Sequence, residues 1–426
     1  MRLFNIKDTL LSNKKFYYFL IPFIIILISN FLYPIKSLNF KRLTFLKPIN
    51  PSRKLCPILQ DNLDSLIASE NDKWSITILD KNRNIISEVN AYKPLIPASN
   101  IKLITTAYAI EKLSENFLLK TRLVLREDGN FEIWGDGDPD LSELDLKDIS
   151  TKATNIFNTS TTNNNDLTLI LYEEPSANWW SSTWSPYDRS QSYGSPITRL
   201  AIRSNSPSRS NQYPLISFKS YLNNQIKSFG LNPNVITKEY KSQSFFFSNR
   251  KVITEIQSAP LNSLISLSNS ESHNFTAEIL LRHAAKSWNP EKASKKVYRW
   301  LIANRIPARE FVLIDGSGLS RENRATTVGI ASLLWFMDNK QSANLYKSSM
   351  SVLGIRGTLR NFASNSQIQG NFYGKTGTLT GVRAISGLMD IKDGKRYISI
   401  ISNNSDRPDV IIRRILELSE EFSQCF

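Results

Sequence analysis

Apolar and polar positions alternate in several short runs of this chain, and the order of those runs outlines its architecture. Trp74-Ser75-Ile76-Thr77-Ile78-Leu79 and Ile85-Ile86-Ser87-Glu88-Val89 read as strands joined by the polar turn Asp80 to Asn84, a hairpin. Towards the far end, Lys375 to Leu379, Arg383 to Ile391 and Tyr397 to Asn403 read as three more strands, the last two joined by Lys392-Asp393-Gly394-Lys395. Helices are expected over Pro57 to Ser69, Ser99 to Leu113 and Pro408 to Phe422. Between the two groups of strands lie four further strand-like pieces, Thr121 to Arg126, Phe131 to Trp134, Leu167 to Tyr172 and Ser244 to Phe247. The stretch Thr151 to Asn165, rich in Ser, Thr and Asn, reads as a loop or linker.

The N-terminus changes the picture from a soluble chain to an exported one. Lys14-Lys15 precede an apolar run from Phe16 to about Tyr33, closed by Pro34 and Lys36. A positive flank followed by such a run is a secretory signal or a short membrane anchor. No small-x-small cleavage pattern follows, which favours an uncleaved anchor over residues 16–33. A chain of 426 residues is too long for one ordinary core, so two or more domains are expected. A hydrophobic fraction of 41% with 8 Trp, 15 Tyr and 22 Phe excludes wholesale disorder. The formal charge of +15 invites a nucleic-acid reading, but Lys and Arg are spread along the chain without a compact basic tract. No nucleic-acid partner is expected; a solvated basic surface that tolerates anionic headgroups or wall polymers is the simpler account.

Three short polar motifs carry the candidate chemistry. They are Ser99-Asn100-Ile101-Lys102, Ser272-His273-Asn274 and Lys375-Thr376-Gly377. Residues three apart on a helix share a face, so Ser99 and Lys102 stand side by side. A hydroxyl becomes a nucleophile when a neighbour takes its proton, and a lysine can do so once burial and a second cation, here Lys375, lower its pKa. The helix start at Ser99 adds N–H groups that favour negative charge on an attacked carbonyl. Ser272 is placed to relay a proton to the leaving group and Asn274 to hold a substrate backbone. Thr376 and Gly377 belong to an edge strand on which a peptide can lie, and the Thr378 N–H, with that of Ser99, can form an oxyanion hole.

In order and spacing these motifs resemble those of penicillin-binding serine enzymes, specifically the class C D-alanyl-D-alanine carboxypeptidase/endopeptidases. Further agreement comes from Gly135-Asp136-Gly137-Asp138-Pro139-Asp140-Leu141, Tyr193-Gly194-Ser195-Pro196, Asp315-Gly316-Ser317-Gly318-Leu319-Ser320-Arg321 and the run Gly374 to Gly387. The resemblance covers the chain from about residue 55 onward. It implies an α+β fold: a penicillin-binding/β-lactamase-like transpeptidase domain, with a five-stranded antiparallel sheet flanked by helices and an all-helical subdomain, carrying a mixed α/β insertion. The corresponding division is a signal or anchor segment with linker at 1–50, a split catalytic domain at 51–119 and 251–426, and an inserted module at 120–250. The implied chemistry is acylation of Ser99 by a peptidoglycan stem peptide ending in D-Ala-D-Ala, release of D-Ala and hydrolysis by water, with β-lactam antibiotics as covalent ligands. Cleavage of cross-links is a second activity of similar enzymes. The expected location is the periplasm or cell envelope, and no cofactor or metal is called for.

Several residues carry two readings. His273 stands where the family has Asp or Gly, in a position whose side chain normally points away from the site; a direct role and a structural one are both open. Arg321 either clasps a peptide carboxylate, for which its fork is suited, or shapes its loop through an ion pair. Thr380 stands where relatives carry a longer polar residue. Cys56 and Cys425 either form a disulfide between the first and last helices, which pack side by side in such folds, or remain buried thiols. Asp136-x-Asp138-x-Asp140 opens like a calcium loop, yet the following Gly is missing and Lys147 replaces the closing Glu. Trp179, Trp180, Trp184 and Tyr187 either stack on glycan sugars or pack an interface. A β-lactamase is disfavoured because no Glu-x-x-x-Asn pattern follows Asn274; a non-catalytic wall-binding protein is disfavoured by three intact motifs.

Overall fold

The computed structural model describes residues 47–159, 165–240, 250–392 and 394–425. The apolar run 16–33 and the strand expected over Ser244 to Phe247 lie outside them. Among the described residues no helix is long and apolar enough to cross a membrane.

The chain from Ile49 onward opens with helix α1 (Pro57–Ile67), strands β1 (Trp74–Leu79) and β2 (Ile85–Val89), and helix α2 (Ile101–Lys112). Next come β3 (Lys120–Arg126), β4 (Phe131–Gly135), α3 (Glu143–Thr159), β5 (Asp166–Glu173), the short α4 (Pro186–Ser190), α5 (Pro214–Ser228), β6 (Asn232–Glu239) and β7 (Arg250–Gln257). A helical stretch follows: α6 (Leu261–Asn269), α7 (Asn274–Ala285), α8 (Pro290–Ala303), α9 (Thr327–Asp338) and α10 (Ala343–Ser348). The chain ends with β8 (Ser351–Val352), β9 (Phe372–Leu379), β10 (Val382–Ile391), β11 (Gly394–Asn403) and α11 (Pro408–Glu421).

Strands from both ends of the chain form one antiparallel sheet in the order β2-β1-β11-β10-β9-β8. The sheet has six strands rather than the expected five, because two-residue β8 pairs with Tyr373 and Gly374. A run that short carries no alternation to read. It stops before Lys375, so the motif part of β9 remains an edge of the sheet, along which an extended peptide can lie. Both faces of the sheet are covered, which explains why β1 is buried at every position. Ile76, Ile78, Ile398 and Ile400 pack towards α1 and α11, in one core with Leu59, Leu63, Ile412 and Ile415. On the other face, Ala384, Leu388 and Ile401 join the larger core of α2 and α6 to α9. The polar members of β1 on that face are satisfied: Ser75 Oγ and Thr77 Oγ1 each lie 2.8 Å from Thr327 Oγ1 at the start of α9.

The second sheet runs β6-β5-β4-β3-β7 and is mixed: β4, β5 and β6 are parallel neighbours, while β3 is antiparallel to β4 and β7. Helices α3 and α5 cover one face through Leu146, Ile149, Ala153, Phe218, Leu222 and Ile226. The loop expected from Thr151 is corrected here, since α3 continues through it to Thr159. Its apolar residues recur at helical spacing, and the hydroxyls of Ser150 and Thr151 return to the carbonyls of Leu146 and Lys147, four residues back, at 2.8 Å. Composition concealed that stripe. Cys56 and Cys425 are joined, with their Cα atoms 5.7 Å apart and 369 positions of sequence between them.

Candidate active site

Ser99 sits in a single 3₁₀ turn, Ala98–Asn100, that leads directly into α2. The turn is bent sharply, Ala98 having φ +46°, a conformation an alanine adopts only when its surroundings impose it. Two close approaches do so. Gly318, at φ +82°, lies so near that a Cβ there would be 1.9 Å from the Ala98 carbonyl oxygen, and a Cβ on Gly377 would be 2.7 Å from that of Pro97. Asn100, wholly buried, donates from Nδ2 to the Lys375 carbonyl at 3.1 Å and so ties the turn to β9.

Lys102 follows one helical turn later and is fully buried. Its Nζ donates to Ser99 Oγ at 3.0 Å, Asn274 Oδ1 at 2.6 Å and the Ser317 carbonyl at 2.6 Å. Burial pushes this amine down to about 7, against the opposing pull of Asp315 and Glu278. Lys375, also fully buried, donates to the Thr376 carbonyl at 2.8 Å. Burial and then the charge of Lys102 hold it well below the ordinary lysine range, with Glu271 opposing.

The second motif arrives on the turn into α7. Ser272 is held at φ +62° and lines the cleft beside Ser99, with no hydrogen bond to Lys102 among the described residues. Asn274 is gripped at both ends, since its Oδ1 faces Lys102 while its Nδ2 donates to the Tyr193 carbonyl at 2.8 Å. The His273 ring turns back along its own helix, with Nδ1 2.7 Å from Thr276 Oγ1, and burial pushes its pKa down to about 4. His283 is half-buried on α7, where its Nε2 donates to the Asp136 carbonyl at 2.6 Å.

Behind Lys102 stands a buried acidic scaffold. Glu278 Oε1 accepts from the N–H groups of Gly316 and Ser317, both at 2.8 Å, and Oε2 accepts from Arg282 Nη1 at 2.6 Å. Asp315 accepts from Gly318 N, Ser320 N, Trp184 Nε1 and Asn323 Nδ2 at 2.7 to 2.8 Å. These two carboxylates fix the loop whose Ser317 carbonyl takes the amine. The sequence offered Asp315-Gly316-Ser317-Gly318 as a signal for this loop; nothing in it singled out Glu278.

The cleft has two lobes that meet at Ser99, Ser272 and Thr378. The larger, about 480 Å³, is lined by Asn274, Arg321, Tyr187, Asp188 and Tyr193. There Arg321 Nη2 donates to the Thr380 carbonyl at 2.6 Å. The smaller, about 280 Å³, is bounded by Thr358, Thr376, Arg383 and Asp409. Thr376 Oγ1 donates to Thr358 Oγ1 at 2.8 Å, and Arg383 donates to Thr378 Oγ1 while forking onto Asp409 at 2.6 and 2.9 Å. Asp188, Tyr193, Thr358, Arg383 and Asp409 were not singled out as site residues from the sequence. Tyr193 heads a stretch the sequence did offer, Tyr193-Gly194-Ser195-Pro196, whereas the pairing of Arg383 with Thr378 emerges only with the fold.

The remaining sequence candidates are engaged within the fold. The Trp179, Trp180 and Trp184 side chains donate to the Glu174 carbonyl, the Gly194 carbonyl and Asp315, and of that aromatic group Tyr187 is left 70% exposed. Asp138 accepts from the Asp140 N–H at 3.0 Å, and Asp136 from that of Lys120 at 3.1 Å.

This arrangement has relatives. A D-alanyl-D-alanine carboxypeptidase of Actinomadura sp. (strain R39) is 28% identical over 173 residues, 38% of this chain and 32% of that one, so the match spans about a third of the relative's length. D-alanyl-D-alanine carboxypeptidase DacB of Haemophilus influenzae is 22% identical over 425 residues, covering 81% of this chain and 88% of its own. The crystal structure of penicillin binding protein 4 (dacB) from Haemophilus influenzae superposes with a TM-score of 0.72 at 18% identity, over 85% of this chain and 99% of that one, and shares the fold. The model of the D-Ala-D-Ala carboxypeptidase 3 (S13) family matches residues 59–213 and 203–416, and the chain belongs to that family.

Proposed function

We propose that this protein is an exported serine D-Ala-D-Ala carboxypeptidase that acts on peptidoglycan stem peptides through an acyl-enzyme on Ser99 and is acylated by β-lactams. The observation that carries this reading is Lys102: a buried amine 3.0 Å from the Ser99 hydroxyl with its pKa lowered to about 7. Such an amine is neutral in a large fraction of molecules at neutral pH and accepts the hydroxyl proton as Ser99 attacks. The Ser99 oxygen bonds to the carbonyl carbon of the penultimate D-Ala and the C–N bond breaks. The proton passes from Lys102, by way of Ser272, to the departing amine. The N–H groups of Ser99 and Thr378 hold the oxyanion, Asn274 and the edge formed by Thr376 and Gly377 hold the peptide backbone, and Lys375 keeps a second positive charge near Lys102 when protonated. Water then hydrolyses the ester. Arg321 bounds the lobe that takes the stem peptide. Division of labour follows the sheets: 51–119 and 258–426 carry the chemistry, and 120–257, an insert that runs to the end of β7 rather than stopping at 250, supplies the Tyr193 carbonyl.

The test is covalent labelling of the chain from residue 50 onward with a fluorescent penicillin. A stable adduct in the parent that is absent in Ser99→Ala is expected. A folded parent that takes no label would reject the acyl-transfer reading and favour a wall-binding protein that keeps the fold.

A further inference from the structure

We infer that the exposed face of α8 docks on an anionic lipid membrane and lays the folded body against the bilayer, beside the point where the chain enters that body. This inference rests on the exported reading and on the apolar run 16–33 holding the chain at a membrane. Between Lys286 and Glu310 the sequence carries seven basic residues and two acidic ones. Helical periodicity gathers them. Lys292, Lys295, Lys296 and Arg299 recur at spacings of three and four on α8 and are all exposed, while Ala293, Val297, Trp300 and Leu301 are buried on its other side. Lys286, exposed on the turn before α8, lines one cavity with Lys292 and so extends the same face.

A merely solvated helix face looks different in this protein. On α11 the cations are answered within the helix, Arg413 by Glu417 at 2.9 Å and Arg414 by Glu421 at 2.5 Å. On α8 the residues four apart are Lys292 with Lys296 and Lys295 with Arg299, like charges that repel. Among the described residues Lys286, Lys292 and Lys295 make no ion pair, although Glu291 stands four residues before Lys295. A layer of phosphate headgroups supplies the missing counter-charge, worth about fivefold in binding for each Lys or Arg brought to it. The entry point is what singles out a membrane. The Ile49 N–H donates to the Arg305 carbonyl at 3.0 Å and the Ile49 carbonyl accepts from Arg83 Nη2 at 2.5 Å, so the chain enters the body two residues beyond the end of α8. Residues 34–48 join the apolar run to that point; they reach no further than about 55 Å when fully extended, and they include Lys36, Lys41, Arg42 and Lys47 with no acid. From Lys292 to the end of α8 is about 17 Å, well inside that reach. None of the basic residues of α8 lines either lobe of the cleft.

The test is amine footprinting of the full chain, reconstituted in vesicles of mixed phosphatidylglycerol and phosphatidylcholine or of phosphatidylcholine alone, acetylated briefly and read lysine by lysine by mass spectrometry. In the anionic vesicles at low salt, Lys286, Lys292 and Lys295 are expected to react at least about fivefold more slowly than in the neutral ones. Exposed Lys227 on α5 is expected to be unchanged, and the protection to vanish in about 0.5 M salt. A Lys292→Gln, Lys295→Gln variant, checked for a cooperative thermal transition, is expected to lose the protection at Lys286. Equal reactivity in both vesicles, protection that salt or the double variant leaves intact, or equal protection at Lys227 overturns the inference. So does protection of the three lysines by solubilised wall polymer but not by anionic vesicles, which assigns the face to the wall. A chain that washes off neutral vesicles rejects the anchor reading of 16–33, a separate outcome; the anionic vesicles, compared with the chain in solution, then still decide the face.

Discussion

Lys102 concentrates the residue-scale argument, because one amine meets a hydroxyl, an amide oxygen and a carbonyl while cut off from water. Its pKa gives a signed expectation. A general base acts when neutral, and the neutral fraction grows as pH passes upward through about 7, so the penicillin acylation rate is expected to rise across that range and level off above it. Stopped-flow labelling between about pH 5 and 9 checks this, and a rate flat throughout would remove Lys102 as the base. The linkage runs in the same direction. The unfolded chain holds this proton up to the ordinary lysine range while the fold has released it, so this group's contribution to stability increases with pH between about 7 and 10.5. Ser99, Lys102, Asn274 and Lys375 were legible as a set because covalent chemistry restricts residue type and spacing. Glu278 and Arg383 were not, since what each does depends on which backbone or hydroxyl the fold brings opposite it, and an isolated Glu or Arg carries no such label.

At the scale of elements, the turn before α2 depends on backbones that touch. Gly318→Ala places a methyl group against the Ala98 carbonyl at a positive φ, so a loss of acylation greater than about a hundredfold and a destabilisation of about 2 to 4 kcal/mol are expected. Gly129, at φ +80° with nothing within 4 Å of the place a Cβ would take, isolates the conformational part: Gly129→Ala is expected to cost about 1 kcal/mol and leave acylation unchanged. Labelling kinetics and thermal melts on the two variants separate the effects; equal acylation in both would show that the contact at Ala98 does not position Ser99. The strands of the main sheet were readable because burial on both faces filled them with apolar residues. Helix α3 was not readable past residue 150, because its buried positions there are Ala153 and Thr154, which look like the polar stretch around them.

For the whole molecule, the first and last helices are tied by Cys56 and Cys425, and the loop this closes spans 369 positions. Cross-linking so long a loop restricts the unfolded chain, by about 5 kcal/mol on the chain-entropy model. Denaturant unfolding of the Cys56→Ala, Cys425→Ala double variant is expected to reveal a loss of about 2 to 5 kcal/mol, with acylation retained because neither residue approaches the cleft. An unchanged midpoint would mean that the two helices hold the ends without the bond. The sequence indicated a second body between the two groups of motif-bearing strands, yet not how that body meets the site. The meeting point is Asn274, whose oxygen faces the Lys102 amine and whose NH2 group faces a carbonyl from the stretch between β5 and β6. Reversing that amide would set hydrogens against hydrogens and oxygen against oxygen, so its orientation is dictated from both sides at once. Anyone paring the protein to a minimal catalyst by splicing Leu119 to Ser258 would keep every motif and lose the hand that turns one of them the right way round.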